Sequence, residues 1–118
     1  MADVVELVKD FRFEAAHFLP HVPEGHKCRR IHGHSFRGEV AVRGTLDPQL
    51  GWVMDFADLK RVVDPIVQEL DHYMLNDIEG LENPTSEVVA VWIWRRLAVS
   101  LPNLHRVTIE ETLSLIHI

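Results

Sequence analysis

The sequence predicts an α+β fold in which two helices cover one face of an antiparallel sheet. Apolar and polar residues alternate in three segments, which is typical of half-buried strands. In two other segments the apolar residues recur at helical spacing. The order along the chain is strand, strand, helix, helix, strand. Because strands and helices are segregated, an antiparallel sheet with helices on one side is favoured.

The predicted strands are Val4–Leu19, His32–Leu46 and His105–Thr112. His17 lies on the apolar parity of the first strand, so we expect its side chain to face the core. Between the first two strands, the segment Pro20–Arg30 contains two prolines, a glycine and several charged residues. This composition predicts a loop.

Capping residues mark the beginning of both predicted helices. Asp55 is placed to cap the first helix, and Thr85 or Ser86 to cap the second, which we expect to end near Ser100. Pro65 lies inside the first helical pattern, so we expect a kink or a break there.

Length and composition indicate one domain, residues 1–118, and exclude several functions. With 12 basic and 18 acidic residues the net charge is −6, which argues against nucleic-acid binding. The longest apolar run, Val88–Trp94, is far shorter than the roughly 20 residues of a membrane span. The N-terminus lacks the features of a signal peptide, and the single cysteine cannot form an intrachain disulfide. We therefore expect a cytoplasmic protein.

Three histidines form a candidate metal site. His32 and His34 are two residues apart, so on a strand their side chains share a face. Antiparallel pairing of the preceding strand would bring His17 beside them. Three nitrogen ligands leave one position open, as in catalytic zinc sites. The alternative is a chance His-Gly-His pair. Zinc is preferred over copper or iron because no soft or carboxylate ligand set is evident.

Cys28 lies in the predicted loop among Lys27, Arg29 and Arg30. Neighbouring cations stabilise a thiolate, which could act as a base or a nucleophile. Two other interpretations remain open: a small buried cysteine, or a fourth zinc ligand that would close the metal site.

Two acidic positions are further candidates. Asp71 precedes His72 and could fix its tautomer, or could simply cap a turn. Glu111 shares the parity of Val107 and Ile109, so its carboxylate would point toward the core and need a partner. A ligand edge with a row of N–H donors would satisfy it in bidentate fashion. Alternatively, Glu111 lies at a frayed strand end and reaches water.

Several motifs together resemble the 6-pyruvoyltetrahydropterin synthase superfamily, over roughly residues 11–112. The matching segments are Phe13-Glu14-Ala15-Ala16-His17, Cys28-x-x-x-His32-Gly33-His34, Gly51-Trp52-Val53-Met54-Asp55-Phe56, Leu70-Asp71-His72-x-x-Leu75-Asn76, Pro84-Thr85-Ser86-Glu87 and Glu111-Thr112. Within the superfamily, Glu24-Gly25-His26-Lys27-Cys28 and His34-Ser35-Phe36 resemble the bacterial 6-carboxy-5,6,7,8-tetrahydropterin synthases of queuosine (7-deazaguanine) biosynthesis.

The resemblance implies conversion of 7,8-dihydroneopterin triphosphate and water to 6-carboxy-5,6,7,8-tetrahydropterin, acetaldehyde and triphosphate. It implies that the three histidines bind zinc, which polarises oxygens of the substrate side chain. Cys28 would abstract a proton, and Asp71 with His72, contributed by a neighbouring subunit, would be its relay partner.

Substrate-binding residues also follow from the resemblance. Glu111 would anchor the 2-amino-4-oxo pyrimidine edge of the pterin and could join the relay. Further pterin contacts would be Thr85, Ser86 and Glu87. Candidates for binding the triphosphate are Lys27, Arg29, Arg30 and Arg37.

The implied architecture is the tunnelling fold, in which subunits join their sheets into a trimeric barrel and two trimers stack as a hexamer. Family members continue past the Glu-Thr pair with a turn and a last strand. Here residues 113–118 resemble translated sequencing adapter, so we expect a non-native tail and a truncated or replaced last strand. Such a change would leave a bare sheet edge.

Two alternatives to this function remain. A 6-pyruvoyltetrahydropterin synthase would share the site and the substrate but eliminate triphosphate without releasing acetaldehyde. A non-catalytic module that binds zinc or a pterin would be favoured if the altered C-terminus prevents assembly.

Overall fold

The computed structural model describes residues 3–111 and the backbone of residues 116–117. Its strands are β1 (Val4–His17), β2 (His32–Thr45), β3 (Leu104–Glu111) and β4 (Ile116–His117), and its helices are α1 (Phe56–Leu70) and α2 (Ser86–Ala98). The sheet is antiparallel in the order β1-β2-β3, and β4 pairs with the beginning of β2. The predicted α+β class and the order of the first five elements are confirmed.

Pairing of β1 with β2 is continuous from Val4 opposite Thr45 to His17 opposite His32. Both strands are slightly shorter than the alternation predicted. On the other side of β2, β3 pairs with a register shift between Ala41 and Val42. The long uninterrupted ladder fixes which side chains of β1 and β2 share a face, because a slip of one residue would reverse every side chain.

The core lies between the sheet and the two helices, with α1 packed on β1 and α2 on β3. Its strand residues follow the predicted alternation, and its helix residues follow helical spacing. It includes Phe11, Phe13, Ala15, Phe36, Val40, Val42, Leu59, Val63, Leu70, Val89, Ile93 and Leu97. Gly38 permits this packing, because a Cβ there would lie 2.3 Å from the Phe11 ring and 2.4 Å from the Thr108 carbonyl oxygen.

Both helices begin at capping residues that the sequence indicated. An Asp55 carboxylate oxygen accepts a hydrogen bond from the Ala57 N–H, and the Thr85 hydroxyl oxygen accepts one from the Val88 N–H. Of the two residues proposed to cap α2, the cap is therefore Thr85. The helix ends at Ala98, slightly before the predicted end.

Of the kink or break expected at Pro65, the break does not occur, because α1 continues through the proline as one element. The proline is exposed, so it lies on the side of the helix that faces solvent. Because proline has no backbone N–H, the carbonyl of Arg61 lacks the helical hydrogen bond that another residue at position 65 would donate. Arg61 is also exposed, so water can satisfy that carbonyl.

The predicted tail falls partly outside the described residues, which omit positions 112–115 and 118. Ile116 and His117 pair with Gly33 and His32. The described helices include none that is both long and apolar enough to cross a membrane.

Candidate metal centre and surrounding residues

Three histidine side chains meet where β1 ends and β2 begins. The register places His17 opposite His32, and His34 lies two residues further along β2 on the same face. All three are buried, with exposed fractions of 1%, 0% and 8%. One nitrogen from each lies within 4.8 Å of those of the other two. The predicted cluster therefore exists within a single chain and could hold a metal ion.

Two phenylalanine rings pack beside the cluster and restrict the movement of the histidine rings. Phe36 follows His34 on the same face, and its ring lies 5.6 Å from that of His17 and 5.7 Å from that of His34. Phe36 in turn stacks on Phe13 at 4.8 Å. The cluster thus lies at the edge of the apolar core, which holds the rings in place and limits access by water.

Backbone carbonyls orient two of the rings. Nδ1 of His17 lies 2.9 Å from the Pro84 carbonyl oxygen, and Nδ1 of His32 lies 2.7 Å from that of Arg30. A carbonyl can only accept, so we assign the proton to Nδ1 in both rings, which leaves the lone pair on Nε2. Such outer contacts are characteristic of metal-binding histidines.

His17 provides the test of whether a metal fits. Its Nε2 is buried and has no hydrogen-bond partner in the described part of the chain. Burial lowers the pKa of His17, while the Pro84 carbonyl acts in the opposite direction. The ring is therefore held neutral, which is the form that binds a metal. A buried lone pair without a donor is costly in a folded protein, and a cation would satisfy it.

The cluster holds three ligands among the described residues, and Cys28 is not one of them. The interpretation of Cys28 as a fourth ligand is therefore not supported. Three nitrogen ligands with one open position are the arrangement of a catalytic rather than a structural zinc site.

Cys28 is a half-buried free thiol in a single 3-10 turn, Lys27–Arg29. Its carbonyl accepts a hydrogen bond from the Leu19 N–H at 2.8 Å, and its own N–H donates to Nδ1 of His26 at 3.1 Å. Because Leu19 follows His17 by two residues, the first of these bonds ties the cysteine turn to the end of β1 that carries a metal ligand.

Asp71 and His72 form a dyad at the end of α1. Oδ2 of Asp71 lies 2.9 Å from Nδ1 of His72, so the contact that adjacency alone did not guarantee is present. Oδ1 of Asp71 accepts a hydrogen bond from the Glu14 N–H at 2.9 Å. That bond is the main reason why the pKa of Asp71 is lowered, with a smaller contribution from His72.

The backbone at His72 is unusual because its φ is +63°, a left-handed conformation that non-glycine residues rarely adopt. Its N–H donates to the Glu14 carbonyl at 2.5 Å, which holds the strained residue against β1. The imidazole is 77% exposed and lines a cavity of about 370 Å³ together with Gly33, Ser35 and Tyr73. In the part of the chain described, no hydrogen bond or ion pair joins this dyad to Cys28.

Glu111 lies on the face that its parity predicted and has two neighbours there. Its Oε1 accepts a hydrogen bond from the Ser86 hydroxyl at 2.5 Å. Its Oε2 lies 3.7 Å from Nε2 of His34, which is too far for a hydrogen bond. The carboxylate is about one-third exposed, so it is held by the protein and still accessible to a ligand.

The other predicted substrate contacts lie in three places. Thr85 and Glu87 flank Ser86 at the beginning of α2, where Glu87 is exposed in the first turn. The basic candidates Lys27, Arg29 and Arg30 are exposed beside Cys28, and one of them, Arg29, donates to the Val22 carbonyl at 3.0 Å. Arg37 instead projects from the opposite face of the sheet, where it lines a cavity of about 260 Å³.

A comparison of the sequence with known families matches residues 6–116 to "6-pyruvoyl tetrahydropterin synthase". The chain belongs to this family. It is 54% identical, over 90% of its length and 85% of the relative, to a protein of Synechocystis sp. (strain ATCC 27184 / PCC 6803 / Kazusa) named 6-carboxy-5,6,7,8-tetrahydropterin synthase. It is 44% identical, over 76% of its length and 72% of the relative, to the dihydroneopterin monophosphate aldolase of Pyrococcus furiosus.

The fold is likewise that of the 6-pyruvoyl tetrahydropterin synthase family. The solved structure of 6-pyruvoyl tetrahydropterin synthase from Caenorhabditis elegans superposes with a TM-score of 0.87 and 29% identity, covering 99% of this chain and 97% of that one. The tunnelling-fold subunit that the motifs implied is therefore confirmed, with a short third strand.

Four residues of this region were not singled out as functional from the sequence. Glu14 and Pro84 contact the candidate residues Asp71 and His17, and Ser35 lines the same cavity as His72. Asn76 contacts Phe18, the residue that follows His17. Three of these four, Glu14, Asn76 and Pro84, make their contacts across 57 to 67 positions of the chain. The only signal was that all four lie inside the motifs that carry the family resemblance.

Proposed function

We propose that this chain is a zinc-dependent carbon–carbon lyase that converts 7,8-dihydroneopterin triphosphate and water to 6-carboxy-5,6,7,8-tetrahydropterin, acetaldehyde and triphosphate. In the cell this reaction would serve queuosine biosynthesis in the cytoplasm. The identity of 54% to the Synechocystis relative supports the reaction. The observation that carries the chemistry is the buried cluster of three histidines with the unsatisfied Nε2 of His17.

In this proposal His17, His32 and His34 hold the zinc ion. When bound, zinc acts as a Lewis acid toward oxygens of the substrate side chain. The two carbonyl contacts at Pro84 and Arg30 fix the rings and keep the protons on Nδ1. Ligands held in this way lose little freedom when the metal binds.

Cys28 is proposed as the base that removes a proton from the substrate side chain. Asp71 holds the His72 ring through Nδ1, which leaves Nε2 to receive or return a proton. No bond joins the two groups in the described chain, which supports our proposal that the dyad acts on the cysteine of a neighbouring subunit.

Glu111 is proposed to bind the pyrimidine edge of the pterin, whose row of N–H donors matches two carboxylate oxygens. Ser86 holds one of those oxygens, and the neighbouring Thr85 and Glu87 are proposed as further contacts with the ring. The three basic residues beside Cys28 remain the better candidates for the triphosphate, because Arg37 lies on the opposite sheet face.

We propose that the chain assembles as trimers that stack into a hexamer. Its small size supports association, because a domain of this length buries a limited share of its surface. β1 also carries exposed apolar residues, Val4, Val5 and Val8, that association could cover. The proposal that residues 113–118 are a non-native tail is tested by the gene: a natural coding sequence that continues in this frame would refute it.

Product analysis tests the function. Zinc-loaded protein is incubated with 7,8-dihydroneopterin triphosphate, and pterins, acetaldehyde and triphosphate are quantified. We expect equal amounts of acetaldehyde and 6-carboxy-5,6,7,8-tetrahydropterin. A pyruvoyl product without acetaldehyde would instead support the activity that the Caenorhabditis elegans protein is named for.

Two further results would replace the proposal. Turnover of dihydroneopterin monophosphate but not of the triphosphate would favour the activity named for the Pyrococcus furiosus relative. A zinc-loaded monomer without turnover of either compound would favour a non-catalytic binding module.

A further inference from the structure

The segment 71–76 runs along the edge of β1 that faces away from β2. It forms hydrogen bonds with every second residue near the C-terminal end of β1. The contacts are those of Asp71 and His72 with Glu14, of Tyr73 with Ala16, and of Asn76 with Phe18. Met74, in the same segment, also forms a parallel β-bridge with Ala16. The segment therefore links the exposed dyad at one end to the end of β1 that carries a metal ligand.

Asn76 makes the last of these contacts through its side chain. Its Oδ1 accepts from the Phe18 N–H at 3.0 Å, and its Nδ2 donates to the Phe18 carbonyl at 2.8 Å. Nδ2 also donates to the Glu82 carbonyl at 3.4 Å. Phe18 directly follows His17, and Glu82 lies two residues before Pro84, whose carbonyl orients the His17 ring.

We propose that Asn76 is a positioning residue of the metal centre, because its amide fixes both the backbone next to His17 and the loop that orients its ring. This inference rests on the proposed metal site. A primary amide carries a donor and an acceptor in one plane, so it can bond to both backbone groups of Phe18 at once. An aspartate would lack the donors, and an alanine would lack both.

The first experiment compares zinc affinities of the purified chain and its Asn76→Ala variant, by competition with a chromophoric chelator. We expect affinity to fall by about 10- to 100-fold, as when outer-shell partners of metal ligands are removed. We also expect a changed visible absorption spectrum after loading with Co²⁺, because the geometry around the metal would relax. The matched control is Asp77→Ala, an exposed neighbour in the same turn, which should bind zinc like the parent.

A second experiment distinguishes positioning from general loss of stability. Zinc affinity is measured for His17→Ala with and without Asn76→Ala. If Asn76 acts through His17, the second substitution adds less than about a twofold loss in this background, because the two effects are coupled. An equal loss in both backgrounds would overturn the inference.

If Asn76→Ala does not fold, the Asn76→Asp variant tests the same inference. Aspartate retains the acceptor for the Phe18 N–H but turns an oxygen toward the Phe18 carbonyl, so zinc affinity should still fall. A folded Asn76→Asp variant with the zinc affinity of the parent chain would overturn the inference. Failure of the parent chain itself to bind one zinc per subunit would instead refute the proposed metal site.

Discussion

The metal cluster and the acid–base residues differ in how the fold holds them. The three histidines come from two adjacent paired strands, are buried, and lie together in a single chain. Cys28 lies in a loop and the Asp71–His72 dyad follows a helix, and no bond joins them in the described residues. We therefore expect that one chain is sufficient to bind the proposed metal, and that the proposed proton transfer needs a second subunit.

The largest effect is expected from His32→Ala, which removes a metal ligand. We expect zinc affinity to fall by more than about 100-fold, beyond the range for loss of an outer-shell partner, and turnover to be lost. At free zinc 100 times the parent's Kd, binding should stabilise the parent chain by about 2.7 kcal/mol. Thermal unfolding with and without zinc measures this, and the variant should show almost none of that gain.

His105→Ala is the matched control for this prediction. The side chain of His105 is 41% exposed and lies 3.2 Å from Glu6. The residue is at the beginning of β3, away from the cluster. Its removal should leave both zinc affinity and the zinc-dependent stabilisation unchanged. If His32→Ala retains one tightly bound zinc per chain, the three-histidine site is refuted.

Mixing two inactive variants sharpens the comparison between the two regions. Cys28→Ala should keep zinc and lose about 10²- to 10⁴-fold in turnover, the usual contribution of a general base, and His72→Ala should behave similarly. If the cysteine and the dyad of one site belong to different subunits, co-refolding the two variants restores part of the activity. The measurement is the turnover of the mixture relative to each variant alone.

The control mixture combines Cys28→Ala with His32→Ala. Both residues belong to the cysteine-and-metal part of the site, so no hybrid interface contains an intact copy of that part. This mixture should remain inactive. Activity in the control, or none in the test mixture, would contradict a site shared between subunits.

Asp71→Asn is expected to have a smaller, pH-dependent effect on stability. The folded-state pKa of Asp71 is lowered, mainly by the Glu14 N–H, so its contribution to stability is complete above the ordinary carboxyl pKa of about 3.9. That contribution is lost as the pH falls through the folded-state pKa. Urea unfolding should therefore separate parent and variant at pH 7, with the two curves converging toward pH 3.

Asp47→Asn is the matched control because Asp47 is also held by backbone N–H groups, those of Gln49 and Leu50, which lower its pKa. It should show the same pH dependence of stability with unchanged turnover, whereas Asp71→Asn should lose turnover as well. A stability difference for Asp71→Asn that is constant from pH 7 to pH 3 would contradict the assignment.

Local patterns were sufficient to predict the sheet, the two helices and the histidine cluster. Strand alternation placed His32 and His34 on one face, and antiparallel pairing of the two strands added His17. The expectation of a break at Pro65 failed because local sequence did not reveal that the proline lies on the solvent side of α1.

The supporting contacts could not be predicted in this way. Glu14 with Asp71, Phe18 with Asn76, and His17 with Pro84 join backbone groups to residues 57, 58 and 67 positions away. Nearly every residue carries the same backbone N–H and carbonyl groups, so the residue type does not indicate which of these groups bonds to a distant side chain. Such contacts depend on how the loops after α1 fold back onto β1, which only the three-dimensional structure defines.

The smallest expected effect is that of Ser86→Ala, which tests whether Glu111 acts in binding rather than in proton transfer. The Ser86 hydroxyl donates to Glu111, and a net hydrogen bond of about 0.5–1.5 kcal/mol corresponds to roughly a 2- to 10-fold change in affinity. If Glu111 binds the pterin edge, KM should rise by that factor while kcat stays within about twofold, and Ser86→Thr should restore KM. A fall in kcat at unchanged KM would instead assign Glu111 to the proton relay with His72, because only an interaction specific to the transition state changes kcat alone.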